Sequence, residues 1–309
     1  MKNIIKIKVV GVGGSGSNAI SRMAKCKIKG IELIAINTDA QDLAKAKADV
    51  KLRIGRKATQ GLGAGMNPDI GRKSAIENRQ EILEILRGSD MIFITYGAGG
   101  GTGTGAGPII AQVAKELGIL TLAVVTKPFS FEGQARLRIA ENGLRHLKEN
   151  VDTLISISND KLLSTLDPNI SLINAFWVCD DILRQAVQGI SDLILLPGII
   201  NVNFADVKTI MANAGSALFG VGRAQGEGRA EKAALSAIGS PLLDVSVKGA
   251  KGVLFNVSGG KDISLSEIDE VARFITKEVN PEAKIIFGAV QDENLKQGEI
   301  KVTVIATGF

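Results

Sequence analysis

Cysteine and histidine are scarce in this chain. Among 309 residues only Cys26 and Cys179 carry thiols, and they lack the close spacing of a metal-binding or redox pair. A chain of this size does not depend on disulfides, so two isolated thiols favour a reducing cytoplasm. His146 is the only histidine, which argues against a transition-metal site.

Long apolar runs are also missing. The longest apolar stretch, residues 193–200, contains Pro197 and Gly198 and is too short to cross a bilayer. The first residues alternate lysine with isoleucine and valine and lead into glycines, unlike a signal peptide. We therefore expect a cytoplasmic protein with no membrane segment and no direct membrane binding.

Aromatic residues and excess charge are limited as well. Aromatic residues make up 4% of the chain, and 37 basic against 32 acidic residues give a net charge of +5. The charges are spread along the chain without a basic block. A nucleic-acid surface normally needs a basic cluster, so no nucleic-acid partner is expected.

The first half alternates short apolar segments with amphipathic ones. Strands are predicted at residues 4–10, 31–36, 91–96, 120–125 and 153–157, with helices between them. Such alternation predicts an α/β fold with a mostly parallel sheet and helices on both faces. Ligands of such sheets bind at the carboxyl ends of the strands, so the loops there are the candidate site.

The second half has a different pattern. Apolar residues recur every three or four positions from residue 171 to 196, which predicts one long buried helix ending at Pro197. Helices at 205–213, 228–238 and 264–279 and strands at 252–257, 283–287 and 300–307 follow. The predicted organisation is an α/β domain at 1–170, a central helix and following loop at 171–200, and a smaller α+β domain at 201–309.

The segment from Gly11 to Gly16 matches the G-x-G-x-x-G pattern of dinucleotide-binding turns. It follows the first predicted strand and opens a helix, as that pattern requires. Asp39, after the second strand, lies near the spacing of a ribose-binding carboxylate. On its own, this motif indicates an NAD-dependent oxidoreductase, which stays an alternative.

A second glycine-rich run extends from Gly97 to Gly107 and has seven glycines in eleven positions. Glycine lets backbone N–H groups approach a phosphate closely, and the N-terminus of the following helix favours an anion. Pro108 suits a first helical turn, so we expect the loop to continue up to it. A nicotinamide dehydrogenase needs one such loop, whereas this chain has two.

A third glycine-rich segment, residues 61–68, is predicted to close over a terminal phosphate or else to be a flexible surface loop. The G-x-x-x-x-G-K-[ST] motif is absent from the sequence, so the chain is not a P-loop NTPase. Backbone amides, rather than a loop lysine, are therefore expected to hold the phosphates.

The run of glycines and threonines at 99–105 resembles the signature of the tubulin superfamily, and the whole chain resembles its FtsZ family of bacterial cell-division GTPases. Supporting segments lie at 37–41, 125–133, 159–163, 188–190 and 204–207. The resemblance covers nearly every residue. It implies a cytoplasmic GTPase that polymerises head to tail with itself and forms a ring at the division site.

The resemblance also implies which residues bind the nucleotide. GTP or GDP is expected with Mg²⁺ held by phosphates and water, without side-chain ligands assigned to the metal. Glu132 and Arg136 would contact the ribose and phosphates. The full predicted set is Gly13, Gly14, Ser15, Gly16, Ser17, Asn18, Ala64, Gly65, Gly97, Gly99, Gly100, Gly101, Thr102, Gly103, Glu132, Arg136, Asn159, Phe176 and Asp180.

Guanine recognition is assigned, through the resemblance, to the predicted central helix. Phe176 and Asp180 are four residues apart and share one helix face, so one can stack on the base while the other accepts its N–H groups. Asp181 is the alternative acceptor. Trp177 departs from the family pattern and is assigned either to the base or to the core.

In the family, the loop after the central helix of one subunit enters the nucleotide site of the next subunit, and hydrolysis is expected at that point. Here the candidate catalytic residues are Asn201, Asn203 and Asp206, and Asn203 replaces a usual aspartate. An amide cannot take up a proton, so turnover is expected to be slowed. The alternatives are that Asp206 suffices, or that the chain is a GTP-binding structural filament with negligible hydrolysis.

The sequence ends at Phe309, directly after the last predicted strand. Family members continue through a linker to a partner-binding peptide. Division partners that bind such a tail are therefore not expected for this chain.

Overall fold

The computed structural model describes residues 5–26, 28, 30–164, 166–167, 169–196, 198–240, 247–292 and 295–309. The chain divides into two compact units, Met1–Gln188 and Gly189–Phe309. No helix within these described ranges has the length and apolar character needed to cross a membrane.

The first unit is built on a six-stranded parallel sheet, which confirms the predicted fold class. Its strands lie in the order β3-β2-β1-β4-β5-β6, and each neighbouring pair is parallel. All parallel strands end at one edge, where the candidate loops follow. The strands are β1 (Ile7–Val12), β2 (Ile31–Asn37), β3 (Val50–Arg53), β4 (Met91–Gly97), β5 (Leu120–Lys127) and β6 (Thr153–Ser158).

Helices connect these strands and cover the sheet, because both of its faces are apolar. Strands β4 and β5 are buried along nearly their whole length and read as continuous apolar runs, as expected for a covered parallel sheet. The helices are α1 (Gly13–Cys26), α2 (Ala40–Lys45), α3 (Arg56–Thr59), α4 (Pro68–Glu77), α5 (Arg79–Leu86), α6 (Gly101–Glu116), α7 (Gln134–Asn150) and α8 (Asn159–Leu163), with a 3-10 turn at Ser130–Glu132.

The glycine run after β4 is shorter as a loop than predicted. Helix α6 begins at Gly101, so Pro108 lies inside the helix rather than in its first turn, and that expectation was wrong. A β-carbon at Gly105 would lie 1.9 Å from the Pro68 carbonyl oxygen, and one at Gly107 would lie 2.5 Å from the Tyr96 ring. These two glycines therefore serve close helix packing and not phosphate contact.

The predicted central helix is α9 (Leu172–Leu195), close to the predicted 171–196. The boundary between the two units falls inside it, after Gln188. Pro197, where the helix was predicted to end, and Ile4, where the first strand was predicted to begin, lie outside the described residues.

The second unit is a smaller α+β structure, as predicted. Its strands lie in the order β7-β10-β8-β9, with β10 antiparallel to β7 and β8, and β8 parallel to β9. The core lies between this sheet and α11 and α12. The elements are α10 (Phe204–Met211), β7 (Gly215–Gln225), α11 (Arg229–Ile238), β8 (Gly252–Gly259), α12 (Leu265–Glu278), β9 (Lys284–Gln291) and β10 (Glu299–Thr307).

A buried arginine ties the start of α11 to the start of α12. Arg229, 8% exposed, donates from Nε to Glu267 at 2.6 Å and from Nη1 to Asp262 at 2.6 Å. The hydrogen bonds from Arg229 lower the pKa of Glu267 from 4.5 to about 2. The negative charge of Glu267 is thus favoured in the folded state.

Replacing Glu267 with glutamine is expected to lower the free energy of unfolding at pH 7 by about 1 kcal/mol, since a charged hydrogen-bonded partner of Arg229 is lost. Because the pKa of Glu267 is depressed by folding, its contribution is full above pH 4.5 and is lost as the pH falls toward about 2. Urea unfolding followed by circular dichroism checks both effects.

The exposed pair Asp269 and Arg273 on α12 provides the control for this substitution. Asp269→Asn should leave the unfolding free energy nearly unchanged, because exposed ion pairs contribute little. A Glu267→Gln chain as stable as the parent at pH 7 would contradict the assignment, as would a deficit that is equally large at pH 2.

Candidate functional site

Two glycine turns face each other at the carboxyl edge of the parallel sheet. Strand β1 passes directly into α1 at Gly13, whose φ of 71° suits glycine. A β-carbon at Gly13 would lie 3.1 Å from the Gly103 nitrogen and 3.2 Å from the Thr102 β-carbon. The N-termini of α1 and α6 therefore meet, and each directs a positive dipole end and free N–H groups to this point.

The turn between β4 and α6 is fixed by three backbone donors. Ala98 N–H donates to Thr126 O at 2.8 Å, and Gly99 N–H donates to the Thr104 hydroxyl at 2.9 Å. Gly101 N–H donates to Gly65 O at 2.9 Å. The predicted phosphate donors Gly99 and Gly101 are thus bonded within the protein. Helix geometry leaves the N–H groups of Thr102 and Gly103 to meet a ligand.

The third glycine segment is anchored to this turn by a backbone hydrogen bond, which disfavours the alternative of a flexible surface loop. Ala40 N–H donates to Gly61 O at 3.0 Å, and Gly65 accepts from Gly101. Ala64 is buried, whereas Leu62 is 84% exposed. The segment therefore lies beside the phosphate turn with an apolar side chain on its outer surface.

The first turns of α1 hold the rest of the predicted phosphate set. Ser15 lies against Gly97: a β-carbon at Gly97 would be 2.9 Å from the Ser15 hydroxyl oxygen. Ser17 is buried, and its hydroxyl has no partner in the part of the chain that the structure describes. Asn18 is exposed and one helical turn before Arg22, so both lie on one face of α1.

Asp39, the candidate ribose-binding carboxylate of the dinucleotide motif, caps a helix in the structure. Its carboxylate accepts from the N–H groups of Gln41 and Asp42 at 2.9 and 3.0 Å and so caps α2. Both hydrogen bonds use Oδ1, so one oxygen of this carboxylate serves as a helix cap. The cap accounts for an aspartate at this position without a ribose ligand, so Asp39 gives the nicotinamide alternative no specific support.

Glu132 and Arg136 lie after β5 and contact each other. Arg136 Nη1 is 3.0 Å from Glu132 Oε2, and Glu132 Oε1 accepts from Phe129 N–H at 2.9 Å. The buried Nε of Arg136 has no partner among the described residues, and the Arg136 stem packs on Gly99. A donor is therefore available at the edge of the phosphate turn.

Asn159 is the first residue of α8, directly after β6. It is 4% exposed, and its side-chain oxygen has no partner among the described residues. Buried polar atoms normally have partners, so an unsatisfied amide oxygen at a strand's carboxyl end indicates a missing donor. A ligand hydroxyl or N–H group fits that requirement.

An aromatic surface lies at the start of α9. Phe176 is 40% exposed and meets Phe129 edge to face, with ring centroids 5.3 Å apart. Phe129 in turn stacks on Phe131 at 4.9 Å. Phe176 therefore has one edge packed on Phe129 and part of its ring exposed, and stacking of a base on it stays a prediction.

The two candidate aspartates of α9 have different surroundings. Asp180 is buried and accepts from Arg22 Nε at 2.8 Å, whereas Asp181 accepts from Arg184 and Gln185 of its own helix at 2.6 and 2.7 Å. Burial raises the pKa of Asp180 to about 6, and Arg22 offsets part of the rise. Both oxygens of Asp181 are engaged by its own helix, which favours Asp180 as the acceptor for a base, and that role stays a prediction.

The three candidate catalytic residues lie in the second unit. Asn201 accepts from Gly198 N–H at 2.7 Å and shapes the loop before α10. Asn203 caps α10 by accepting from Asp206 N–H at 2.8 Å, and Asp206 accepts from Asn203 N–H at 3.4 Å. This reciprocal cap gives Asn203 a structural role, which was overlooked when the residue was considered only as a replacement for the family's aspartate.

Sequence reasoning missed Arg22, and it did not predict which contact the Thr104 hydroxyl makes. Thr104 fixes the phosphate turn through Gly99, and Arg22 pairs with Asp180 across 158 positions of sequence. For Arg22 the available signal was its spacing of four from Asn18 on a predicted helix. Its partner could not be found from sequence, because the contact joins two distant helices.

Family models match both units of this fold. The Tubulin/FtsZ family GTPase domain matches residues 6–167, and the FtsZ family C-terminal domain matches residues 215–309. The chain belongs to the FtsZ family. The resemblance inferred from the glycine motifs is confirmed, and the first unit of this FtsZ-family chain carries the family's GTPase domain.

Solved structures agree with this assignment. An empty FtsZ dimer and the W319Y FtsZ mutant, both from M. jannaschii, are 48% identical and have TM-scores of 0.94. Both matches cover 98% of this chain. They cover 88% of the chain in the empty dimer and 91% of the chain in the mutant. GDP-bound CetZ1 from Haloferax volcanii shares the fold, with 19% identity and a TM-score of 0.82. The match covers 99% of this chain and 94% of the CetZ1 chain.

Proposed function

We propose that this FtsZ-family chain binds GTP at the two facing glycine turns, assembles head to tail into division filaments and hydrolyses GTP between subunits. The observation that carries the binding step is the approach of Gly13 to Gly103, which brings two helix N-termini to one point. Filament formation is supported by family membership and by the relatives described as an FtsZ dimer and a CetZ2 protofilament.

The nucleotide would extend along the strand ends from α1 to α9. Its phosphates would lie between the turn at Gly13 to Asn18 and the N–H groups of Gly100, Thr102 and Gly103, since the Gly101 N–H is bonded to Gly65. Its ribose would meet Glu132 and Arg136, and Asn159 would receive a sugar or base donor. The guanine would stack on Phe176, with its N1 and N2 donors on Asp180.

Mg²⁺ is expected on the phosphates with water in its remaining positions. The carboxylate of Asp42 lies 3.4 Å from where a β-carbon of Gly14 would be, and Asn37 donates to it at 2.7 Å. A carboxylate oxygen this close to the phosphate turn is a suitable hydrogen-bond acceptor for the water ligands of Mg²⁺. The ion would offset phosphate charge, while the protein supplies backbone donors and orientation.

Hydrolysis would require the loop at Asn201 to Asp206 of a second copy. Asn203 and Asp206 are occupied in capping α10, but a side-chain cap uses one oxygen and leaves the other atoms of each group available. Asn203 can position water without accepting its proton. Asp206 carries the charge of this loop, and turnover is expected to be slow.

Asn203→Asp tests this account without disturbing the fold, since aspartate caps a helix as well as asparagine does. We expect GTP turnover per filament subunit to rise roughly tenfold or more, because a carboxylate can assist proton removal. Phosphate release would be measured at equal amounts of sedimented polymer.

Asn203→Ala is the matched control, since it removes the cap and the polar group together. Its turnover should not exceed that of the parent. Equal rates for Asn203→Asp and the parent at equal polymer would contradict slowed hydrolysis and favour Asp206 as sufficient.

Assembly and hydrolysis are tested together by measuring phosphate release across protein concentrations. A site shared between subunits gives activity that rises faster than linearly with concentration. Linear activity from the lowest concentration would contradict the shared site, and polymer without phosphate release would instead support a structural filament.

A further inference from the structure

Asp180 forms an ion pair with Arg22, a residue that has no part in the proposed nucleotide contacts. Arg22 Nε lies 2.8 Å from Asp180 Oδ2, and their side chains are 27% and 12% exposed. The pair joins α1, which carries the phosphate turn, to α9, which carries the base-binding residues. It is therefore a direct link between the two ends of the candidate site.

A second contact holds the same guanidinium. The Arg22 guanidinium carbon lies 5.8 Å from the centre of the Trp177 ring, within the range of a cation–π interaction. Trp177 is 52% exposed and is the only tryptophan in the sequence. Since Trp177 and Asp180 are three residues apart on α9, Arg22 is held by one helix face.

We propose that Arg22 is the positioning residue that keeps Asp180 ionised and oriented, and that it thereby sets the preference for guanine. This inference rests on the proposed function, because it concerns the same base site. A buried carboxylate without a cation tends to take up a proton. Arg22 supplies that cation while leaving lone pairs on Asp180 for a ligand.

The ionisation of Asp180 matters for the choice of base. An ionised carboxylate only accepts hydrogen bonds, so it matches the adjacent N1–H and N2–H donors of guanine. A protonated carboxyl presents one donor and loses that match. Hypoxanthine has the N1–H donor but lacks the N2 amino group, so it should suffer less from the loss of Arg22 than guanine does.

The test compares GDP with inosine diphosphate on nucleotide-free protein by calorimetry. The parent should bind GDP more tightly than inosine diphosphate. Arg22→Met should weaken GDP binding by at least about tenfold and bring the two affinities within about twofold, since about 1.4 kcal/mol corresponds to tenfold. Arg22→Lys should keep most of the preference because it retains the charge.

Two controls separate this role from a structural one. Lys25→Met removes a charge from the exposed part of α1 and should leave both affinities unchanged. If Arg22→Met does not fold, Arg22→Gln decides the question, because it is also neutral but retains polar contacts. It too should lower the ratio of the two affinities.

An unchanged ratio of the two affinities in a folded neutral Arg22 variant would overturn the inference, even if both affinities fall. A parent chain that does not bind GDP, or binds ADP equally well, would instead overturn the proposed function. The two failures are therefore distinguishable within one set of titrations.

Discussion

Gly100→Asp is expected to weaken GDP binding by at least about 100-fold while leaving the chain folded. No heavy atom lies within 4 Å of a β-carbon at Gly100, and its φ of −87° and ψ of 167° suit any residue. The new carboxylate would face the phosphates. Two unit charges about 5 Å apart repel by about 3 kcal/mol at an effective dielectric of about 20.

Gly100→Asn is the matched control for charge, and Gly100→Ala is the control for size. The alanine variant should bind GDP within about tenfold of the parent, and the asparagine variant should bind it more tightly than the aspartate variant, because neither adds a negative charge. Calorimetry with GDP measures the affinities, and circular dichroism checks the fold. Equal affinities for the aspartate and asparagine variants would mean that the phosphates do not lie at this turn.

Asp180→Asn is expected to change the preferred base from guanine to xanthine. A carboxylate accepts from both N1–H and N2–H of guanine, whereas an amide presents one donor and one acceptor. Xanthine has a carbonyl in place of the N2 amino group and so matches the amide. A mismatched buried hydrogen bond lowers binding affinity by a large factor. We therefore expect the affinity for GDP to fall about 100-fold and the affinity for xanthosine diphosphate to rise.

Asp181→Asn is the control, because Asp181 is bonded to side chains of its own helix. It should keep the parent's preference for GDP over xanthosine diphosphate. If Asp181→Asn exchanges the base preference and Asp180→Asn does not, the assignment of the two aspartates is wrong. Titration of each variant with both diphosphates makes the comparison.

Much of the fold was predictable because its strands are short, buried and apolar. β2, β4, β5 and β6 lie close to their predicted positions, since parallel strands covered on both faces need uninterrupted apolar residues. β3 was missed, because Val50–Arg53 has only two apolar residues. It pairs with β2 alone, at the end of the strand order.

β7 was missed for a different reason. Its segment contains Gly215, Gly220 and Gly222, which lower strand propensity and resemble a loop. β-carbons at Gly220 and Gly222 would lie 2.1 and 2.0 Å from carbonyl oxygens of α11. The glycines are required by the close packing of that helix, a constraint that no local sequence pattern contains.

The same limit applies to the candidate site. Sequence predicted that glycines gather at the strand ends, but it could not separate Gly100, which lies in open space, from Gly105, which contacts α4. Nor could it show that Arg22 pairs with Asp180. Each of these facts depends on contacts between segments whose approach is set by the fold.

We infer that the two facing glycine turns and Asp180 form a single guanine nucleotide site. Calorimetric titration of nucleotide-free protein with GDP, ADP and NAD⁺ tests it most directly. We expect one GDP to bind per chain and ADP and NAD⁺ to bind at least about 100-fold more weakly, because adenine lacks the N1–H and N2–H groups that would donate to Asp180. ADP binding as tight as GDP, or tight binding of NAD⁺, would contradict it.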